Sequence, residues 1–312
     1  MNFWNNKSVV VTGGGGFLGC YVVKQLKKLK PKNITVIKSS DYDLRIYSNC
    51  LDAFKNHDLV IHLAANVGGI GYNLLHSAEL LEDNLLMGIN TIKAAKENGV
   101  GKFVALGTVC AYPKHAHPPF REEELWDGYP EESNAPYGLA KKIMLVQAQV
   151  YRQQYDFNAI YLLPVNLYGP RDNFNPKSSH VIPALIRKFA DAKEKKLKTV
   201  KVWGSGLATR EFLYVEDAAR GILLAAQKYN KKDPVNLGTG VEISINDLAE
   251  KIRDLVYPKV KIVWDTSRPD GQPRRLLDVR RANEEFGFSA KVTFDKGLKK
   301  TISWYLSLMP ER

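Results

Sequence analysis

The chain carries four consecutive glycines close to its start, and this feature restricts the fold more than any other. Within this run and just after it, Gly13, Gly16 and Gly19 have the G-x-x-G-x-x-G spacing. A short apolar run precedes them and an amphipathic stretch follows. Glycine permits a tight turn and a close approach of the backbone to a pyrophosphate, and the following helix directs its N–H groups at the phosphate charge. The strand–turn–helix context therefore predicts a dinucleotide-binding turn.

Short apolar runs and longer amphipathic stretches continue to alternate along the chain. Such runs predict buried strands and such stretches predict helices. The predicted strands are 8–11, 34–37, 59–63, 102–106, 159–163, 200–203 and 235–237. The predicted helices are 17–30, 84–98, 135–155, 180–192, 215–228 and 245–256. This alternation predicts an α/β fold with a Rossmann-type doubly wound parallel sheet.

The sequence becomes polar and loop-like just after residue 168. We therefore expect a dinucleotide-binding domain over 1–168, with returns to it near 207–239. A second, smaller α/β substrate domain is expected over 169–312. It is interleaved with the first domain and consists mainly of 169–206 and 240–312.

Composition narrows the classes of function. The 45 Lys and Arg against 33 Asp and Glu give a net charge of +12. These cations are spread over many predicted helix faces without a nucleic-acid motif, which favours a lysine-rich surface over nucleic-acid binding. Three cysteines argue against a disulfide framework and favour a reducing cytoplasm. The apolar run 9–11 is too short for a signal peptide or a membrane span. We expect no membrane partner and no metal site.

The residues after the second predicted strand indicate which dinucleotide binds. Lys38, Ser39 and Ser40 offer one cation and two hydroxyl groups, which suit the 2′-phosphate of NADP. An acidic residue there would favour the free ribose hydroxyl of NAD. Asp41 and Asp43 lie slightly further on and weaken the preference. The pattern predicts NADPH over NADH.

A tyrosine and a lysine on a predicted helix indicate proton chemistry. Tyr137 and Lys141 are four residues apart and share a helix face. A nearby ammonium is expected to lower the pKa of the phenol, so that Tyr137 exchanges a proton with a sugar oxygen near neutral pH. Thr108, at the end of a predicted strand, can add a hydroxyl hydrogen bond to that oxygen.

With these residues the chain resembles the extended short-chain dehydrogenase/reductase superfamily, whose catalytic Ser/Thr, Tyr and Lys fall on Thr108, Tyr137 and Lys141. Further segments resemble one branch of it, the GDP-L-fucose synthases, which are NADPH-dependent 3,5-epimerase/4-reductases of a GDP-linked keto-sugar. The segments that carry this resemblance are 62–70, 107–113, 166–174, 179–185, 202–206, 210–212 and 269–274.

The resemblance implies that Cys110 is the base and His180 the acid of an epimerisation. A C4 ketone acidifies the hydrogens on C3 and C5, and a thiolate and an imidazole both titrate close to neutral pH. Taken alone, Cys110 would be interpreted as a small buried hydrophobe and His180 as a helix cap or surface residue. The resemblance also implies a homodimer formed by helices around 84–98 and 137–155.

The cofactor-binding residues are expected around the glycine turn and at the ends of the predicted strands. They are Gly13, Gly16, Phe17, Leu18, Gly19, Lys38, Ser39, Ser40, Leu44, Leu63, Ala64, Ala65, Tyr137, Lys141, Pro164, Asn166, Leu167 and His180.

The GDP-linked substrate needs cations for its diphosphate and an apolar wall for its base. Lys188, Arg210 and Arg275 are the candidate cations. The full substrate-binding set is Asn166, Val181, Leu185, Lys188, Val202, Trp203, Arg210 and Arg275. Trp203 has core packing as its structural alternative. The chain departs from the family where Thr108 replaces a serine and Lys188 replaces an arginine, which loses the bidentate fork.

Other activities remain open at this stage. One is a C4 reductase, or an epimerase/reductase acting on a related keto-sugar such as a heptose. The presence of both Cys110 and His180 argues against a reductase that does not epimerise. A 4,6-dehydratase would carry an Asp-Glu pair where Val109 and Cys110 stand. A non-catalytic dinucleotide sensor would have lost Tyr137 or Lys141.

Overall fold

The computed structural model describes residues 3–268 and 271–309. Pro269 and Asp270, which belong to one of the family-like segments, lie outside the described residues, as does the C-terminal end of the expected second domain. The strands are β1 (Ser8–Thr12), β2 (Asn33–Ile37), β3 (Leu59–His62), β4 (Lys102–Leu106), β5 (Ala159–Pro164), β6 (Asn166–Tyr168), β7 (Thr199–Trp203), β8 (Thr209–Tyr214), β9 (Val235–Leu237), β10 (Glu242–Ser244), β11 (Lys261–Asp265) and β12 (Arg274–Arg275).

The helices fall between these strands. They are α1 (Phe17–Lys28), α2 (Tyr47–Ala53), α3 (Ile70–Leu75), α4 (Ser77–Glu97), α5 (Ala135–Tyr155), α6 (Val181–Glu194), α7 (Val215–Lys228), α8 (Ile245–Val256), α9 (Arg280–Phe286) and α10 (Phe294–Ser307). Two 3-10 turns, Val109–Ala111 and Glu122–Trp126, lie between β4 and α5. Among the described residues, no helix is both long enough and apolar enough to cross a membrane.

A six-stranded parallel sheet organises the first part of the molecule. Its order is β2-β1-β3-β4-β5-β9, and every neighbouring pair is parallel. All residues of β1, β3, β4, β5 and β9 are buried, as expected for a sheet that helices cover on both faces. Helices α1 and α7 pack together, and so do α4 and α5. The predicted Rossmann-type α/β fold is confirmed.

Several predicted elements have different bounds in the structure. Helix α4 begins at Ser77 rather than at 84, and α6 begins at Val181 with His180 as its N-cap. Pro164 was expected to break the fifth strand but forms its last residue. It is tolerated there because a proline at the end of a strand costs few ladder hydrogen bonds.

A smaller sheet and a second core form the rest of the molecule. Strand β8 pairs with β10 antiparallel and with β12 and β6 parallel, while β7 and β11 form a separate parallel pair. A second cluster of buried apolar side chains joins α6, α8 and α10 to these strands. Glu211 on β8 is fully buried. Its Oε1 accepts a hydrogen bond from the N–H of Gly240 and its Oε2 accepts one from the N–H of Leu277, both at 2.7 Å. This carboxylate therefore ties three distant segments together.

Candidate active site

A cleft of about 1380 Å³ lies between the parallel sheet and the second core. The carboxyl ends of β1, β3, β4 and β5 form one wall, and α6, β7, β8 and residues near β12 form the other. The crevice outside the carboxyl ends of a parallel sheet is where α/β proteins bind their ligands. The volume exceeds the range of about 300–1,000 Å³ that is usual for a small-molecule pocket, so the cleft has room for two ligands.

The glycine turn forms one end of the cleft. Gly13 has a φ of +65°, and a Cβ on Gly19 would collide with the carbonyl oxygen of Gly13. Gly15 has no heavy atom within 4 Å of where its Cβ would be, so the turn is open on its outer side. Gly16 caps α1 without a side-chain hydrogen bond, which leaves the helix N–H groups directed at the cleft. These residues fit a bound pyrophosphate.

The region after β2 combines cations with neutralised carboxylates. Lys38 and Ser39 line the cleft, whereas Ser40 does not and donates to Oδ1 of the exposed Asp41 at 2.8 Å. Arg45 also lines the cleft, and its Nη2 lies 2.8 Å from Asp43 Oδ2. Its Nη1 lies 3.0 Å from Asp83 Oδ1. The carboxylate of Asp43, which weakened the NADPH prediction, is thus paired with a cation.

The Thr108, Tyr137 and Lys141 side chains are brought together beneath the centre of the cleft. Thr108 Oγ1 accepts a hydrogen bond from the N–H of Cys110 at 3.2 Å, so its own O–H is the group it can direct at a ligand. Tyr137 lines the cleft, and Lys141 Nζ lies 5.9 Å from the centroid of its ring. Lys141 is 3% exposed and lies behind Tyr137 rather than in the cleft wall.

The expectation that Lys141 lowers the pKa of Tyr137 is wrong for this structure. Burial, together with the neighbouring Cys110, raises the pKa of the Tyr137 phenol well above its usual value. Burial also lowers the pKa of Lys141 to about 8. Both shifts have the same physical cause, because removing bulk water disfavours the charged form of each group. At neutral pH Tyr137 is therefore a protonated phenol that can donate a proton.

Cys110 lies in the short turn after β4, against the start of α5. A Cβ on Gly138 would lie 2.5 Å from the carbonyl oxygen of Cys110, so a glycine next to Tyr137 allows the helix to approach this turn. Cys110 Sγ lies 3.8 Å from Asn134 Oδ1 and 3.5 Å from Arg275 Nη1. Arg275 was expected at the substrate diphosphate, and the structure gives it a partner that sequence reasoning did not anticipate.

His180 stands at the N-terminus of α6 and opens onto the cleft. Its side chain is exposed to the cavity, yet protein surrounds that cavity and displaces bulk water. This desolvation, together with the charge of Arg275, lowers the pKa of the imidazole below its usual value. The cleft thus holds a phenol and a thiol on the wall formed by the parallel sheet and an imidazole on the wall that begins with α6, as three groups that can move protons.

The far end of the cleft is rich in apolar and cationic side chains. Trp203 is 53% exposed, which excludes the core-packing alternative for this residue. Lys188 Nζ lies 5.6 Å from the centroid of the Trp203 indole, and the Arg268 guanidinium carbon lies 5.1 Å from it. Arg210 is 8% exposed and lines the cleft from β8. The remaining predicted substrate-side residues that line this region are Asn166, Val181, Leu185 and Val202.

Nearly all predicted cofactor residues line the cleft, with Lys141 and Ser40 as the two exceptions. Those that line it, besides the residues already described, are Phe17, Leu18, Leu44, Leu63, Ala64, Ala65, Pro164 and Leu167. Sequence reasoning missed Arg45, Asn134 and Gln272, which also line it. Gln272 lies within the family-like segment 269–274, and Arg45 directly follows the predicted cofactor residue Leu44. Both could therefore have been found from the sequence.

Comparison with known proteins agrees with this architecture. Residues 9–238 match the NAD dependent epimerase/dehydratase family. A GDP-L-fucose synthase of Sinorhizobium fredii is 39% identical over 311 residues, which cover 98% of each chain. The chain belongs to the NAD-dependent epimerase/dehydratase family, in its GDP-L-fucose synthase group. The resemblance predicted from the sequence motifs is thereby confirmed.

Solved structures of other family members have the same fold. A GDP-6-OMe-4-keto-L-xylo-heptose reductase from C. jejuni aligns with a TM-score of 0.91 at 27% identity, covering 98% of this chain and 99% of that one. A GDP-L-fucose synthetase from Naegleria fowleri bound to NADP aligns with a TM-score of 0.88 at 29% identity, covering 98% and 96%. Members of the family with different names thus share nearly the whole of this architecture.

Proposed function

We propose that this family member is a bifunctional NADPH-dependent 3,5-epimerase/4-reductase that converts GDP-4-keto-6-deoxy-D-mannose to GDP-L-fucose. The observation that carries the proposal is the presence of Cys110 and His180 in the same cleft as Tyr137 and the glycine turn. A reductase needs a phenol and a dinucleotide site. The additional thiol and imidazole supply the acid and base that inversion at carbon requires.

Epimerisation comes first in this proposal. The Cys110 thiolate removes the proton from C3 or C5, the C–H bond breaks, and its electron pair forms the enolate with the negative charge on O4. The Tyr137 phenol and the Thr108 hydroxyl donate hydrogen bonds to O4 and stabilise that charge. His180, whose lowered pKa makes its protonated form a stronger acid, then delivers a proton to the opposite face of the carbon. Exchange of protons with water restores Cys110 and His180 for the second carbon.

Reduction at C4 completes the reaction. NADPH, when bound, supplies the hydride for C4. Tyr137 transfers its phenolic proton to O4, and the raised pKa of this phenol suits a group that must hold a proton until then. Lys141, directly behind the ring, stabilises the tyrosinate that results.

The dinucleotide would be held by the first half of the cleft. The glycine turn and the start of α1 hold the pyrophosphate, and Leu63 to Ala65 and Pro164 line the path to Tyr137. Lys38, Ser39 and Arg45 hold the 2′-phosphate. The pairing of Asp43 with Arg45, which also contacts Asp83, reduces the repulsion that a free carboxylate would exert on this phosphate, and this supports NADPH over NADH.

The GDP moiety would occupy the other half. Lys188 and Arg210 are suited to the diphosphate as cations in the cleft wall. The exposed indole of Trp203, beside Val181, Leu185 and Val202, offers a flat apolar surface to the base. The choice of guanine is supported by the family group and not by a base-specific contact.

Isotope exchange tests the proposal directly. The protein is incubated with GDP-4-keto-6-deoxy-D-mannose in D2O, with and without NADPH, and the sugar is analysed by NMR. We expect deuterium at C3 and C5 without cofactor, and GDP-L-fucose when NADPH is added. Cys110→Ala should abolish exchange but still reduce the unepimerised ketone. Reduction by the unmodified protein without any exchange would contradict the epimerase assignment.

A second candidate function is reduction of a GDP-linked keto-heptose without epimerisation. It is favoured by the structural likeness to the C. jejuni heptose reductase. Comparing kcat/KM for the two keto-sugars separates the candidates. A higher value for the heptose, without exchange at C3 or C5, would select this alternative.

We further infer that the protein is a cytoplasmic homodimer. Helices α4 and α5 pack together and expose apolar side chains, which are Leu86 and Ile89 on α4 and Ile143, Val146 and Val150 on α5. Such a face fits an equivalent helix pair of a second copy. The three cysteines form no disulfide, in keeping with a reducing compartment. Ile143→Lys should yield monomers in analytical ultracentrifugation.

A further inference from the structure

Two polar side chains from different parts of the chain contact the Cys110 sulfur. Arg275 on β12 places its Nη1 3.5 Å from Sγ, and Asn134 at the start of α5 places its Oδ1 3.8 Å from it. Arg275 is 6% exposed and Asn134 is 7% exposed, so both are fixed away from bulk water. A guanidinium can only donate hydrogen bonds and an amide oxygen can only accept them. The thiolate therefore has a partner in Arg275, and the thiol has one in Asn134.

Gln272 fixes the guanidinium in this position. Arg275 Nε donates to Gln272 Oε1 at 2.9 Å. Gln272 Nε2 donates in turn to the carbonyl oxygens of Pro113 and Lys114, at 3.2 Å and 3.0 Å. Pro113 and Lys114 follow Cys110 closely in the chain. Residues 113 and 114, which follow Cys110, thus hold Gln272 in place. Gln272 in turn holds the Arg275 guanidinium that faces the Cys110 thiol.

Among the residues that the structure describes, the other ionisable groups around Cys110 do not offer a competing cation in direct contact. Tyr137, on α5, is a neutral phenol because burial raises its pKa. Burial would raise the pKa of Glu131, but hydrogen bonds from Ser133 and Asn134 and the charge of Arg275 outweigh this effect and lower it, so that Arg275 also faces this carboxylate. His180, the N-cap of α6, has a lowered pKa because the surrounding protein displaces bulk water and because of the charge of Arg275. Of these neighbours, Arg275 is the one that carries a positive charge throughout the neutral range.

We propose that Arg275, held by Gln272, is a positioning residue that stabilises the Cys110 thiolate for proton abstraction. This inference rests on the proposed epimerase function. When the thiolate takes the proton from carbon, an S–H bond forms, the C–H electron pair moves into the enolate, and the negative charge leaves the sulfur for O4. The new S–H group then donates to Asn134 Oδ1. Arg275 thus favours the reactive form of the sulfur, and Asn134 accepts the product form.

Alkylation of Cys110 tests this proposal without any substrate. The full-length protein is treated with iodoacetamide at a series of pH values, and modification of Cys110 is followed by peptide mass spectrometry. The Arg275 guanidinium lies 3.5 Å from Sγ, and a cation in contact with a sulfur favours its reactive anionic form. Arg275→Gln should therefore slow alkylation about tenfold at neutral pH and by less at high pH. Arg275→Lys keeps the charge and should retain most of the rate.

Two further variants guard against a purely structural effect. Arg274→Gln is the matched control, because the neighbouring Arg274 is exposed, pairs with Glu242 and does not line the cleft. It should alkylate as the unmodified protein does. Gln272→Met keeps Arg275 but removes the hydrogen bond that fixes its guanidinium. It should slow alkylation severalfold in the same pH-dependent way. This variant remains informative if Arg275→Gln does not fold.

The two proposals can fail separately. If Arg275→Gln and Gln272→Met alkylate at the unmodified rate at every pH, the role of Arg275 at the thiolate is overturned. A loss of keto-sugar binding alone would then assign Arg275 to the diphosphate. If the unmodified protein shows no deuterium exchange, the epimerase function fails whatever the alkylation result is.

Discussion

The two halves of the cleft are built from different kinds of groups. The dinucleotide half presents backbone: glycines, the N-terminus of α1 and the ends of β1 and β3. The nucleotide-sugar half presents long side chains, such as Lys188, Trp203 and Arg210, from elements far apart in the chain. The first half resists substitution where an added Cβ would collide with backbone atoms, as at Gly19. The second can be retuned one side chain at a time, which shows how one fold serves several keto-sugars.

The largest expected effect comes from removing the phenol at the border between the halves. Tyr137→Phe should lower the rate of C4 reduction by about 10²- to 10⁴-fold, because the phenol is the group that transfers its proton to O4 in the proposed mechanism. Binding of NADPH should change little, since the backbone of the first half is untouched. Single-turnover absorbance at the NADPH band measures the rate, and fluorescence titration measures the affinity. A variant that reduces at the normal rate would remove Tyr137 from the mechanism.

Adding one methyl group to the glycine turn should disrupt the dinucleotide half of the cleft. A Cβ on Gly19 would collide with the Gly13 carbonyl oxygen, whereas a Cβ on Gly15 would meet no atom within 4 Å. We expect Gly19→Ala to weaken NADPH binding by about 100-fold through displacement of the turn. Gly15→Ala is the matched control and should stay within about twofold on the same grounds. Equal effects of the two variants would mean that the turn is not held as tightly as the structure indicates.

This contrast also explains how much could be predicted from the sequence. Helices α5, α7 and α8 and strand β4 match their predicted bounds, and the glycine turn lies where the spacing placed it, because these features depend on local patterns. Strands β8 and β12 were missed. They are defined by pairing between distant segments, as when Arg275 lies opposite Arg210. The contact of Arg275 with Cys110 and the burial that raises the pKa of Tyr137 depend on the same long-range packing.

A smaller effect should follow from deprotonation of the buried Lys141 ammonium behind Tyr137. Lys141 has a pKa lowered to about 8, so it loses its charge as the pH rises through that value. The rate of C4 reduction should then fall by up to about tenfold for each further pH unit. Lys141→Arg, if it folds, should keep its plateau to higher pH, since a guanidinium stays protonated. Rate profiles over this range measure the effect, and an unchanged midpoint in Lys141→Arg would assign the titration to another group.

The smallest effect is expected in the nucleotide-sugar half of the cleft. Trp203→Ala should raise the KM for the GDP-sugar by severalfold to about tenfold, through loss of an aromatic surface for the base, with kcat nearly unchanged. Trp126→Ala is the matched control, because this indole is similarly exposed, also contacts a lysine and does not line the cleft. An equal rise in KM for both variants would place the base elsewhere.

The position of β9 in the parallel sheet has a consequence for how the protein is made. This strand completes the sheet beside β5, but about seventy residues separate the two strands, and much of the second core lies between them. A chain emerging from the ribosome therefore cannot complete its six-stranded sheet until β6, α6, β7 and β8 have been synthesised. Truncation between β5 and β9 would leave β5, rather than β9, at the edge of the sheet. The parallel sheet is thus completed only after part of the second core has been synthesised.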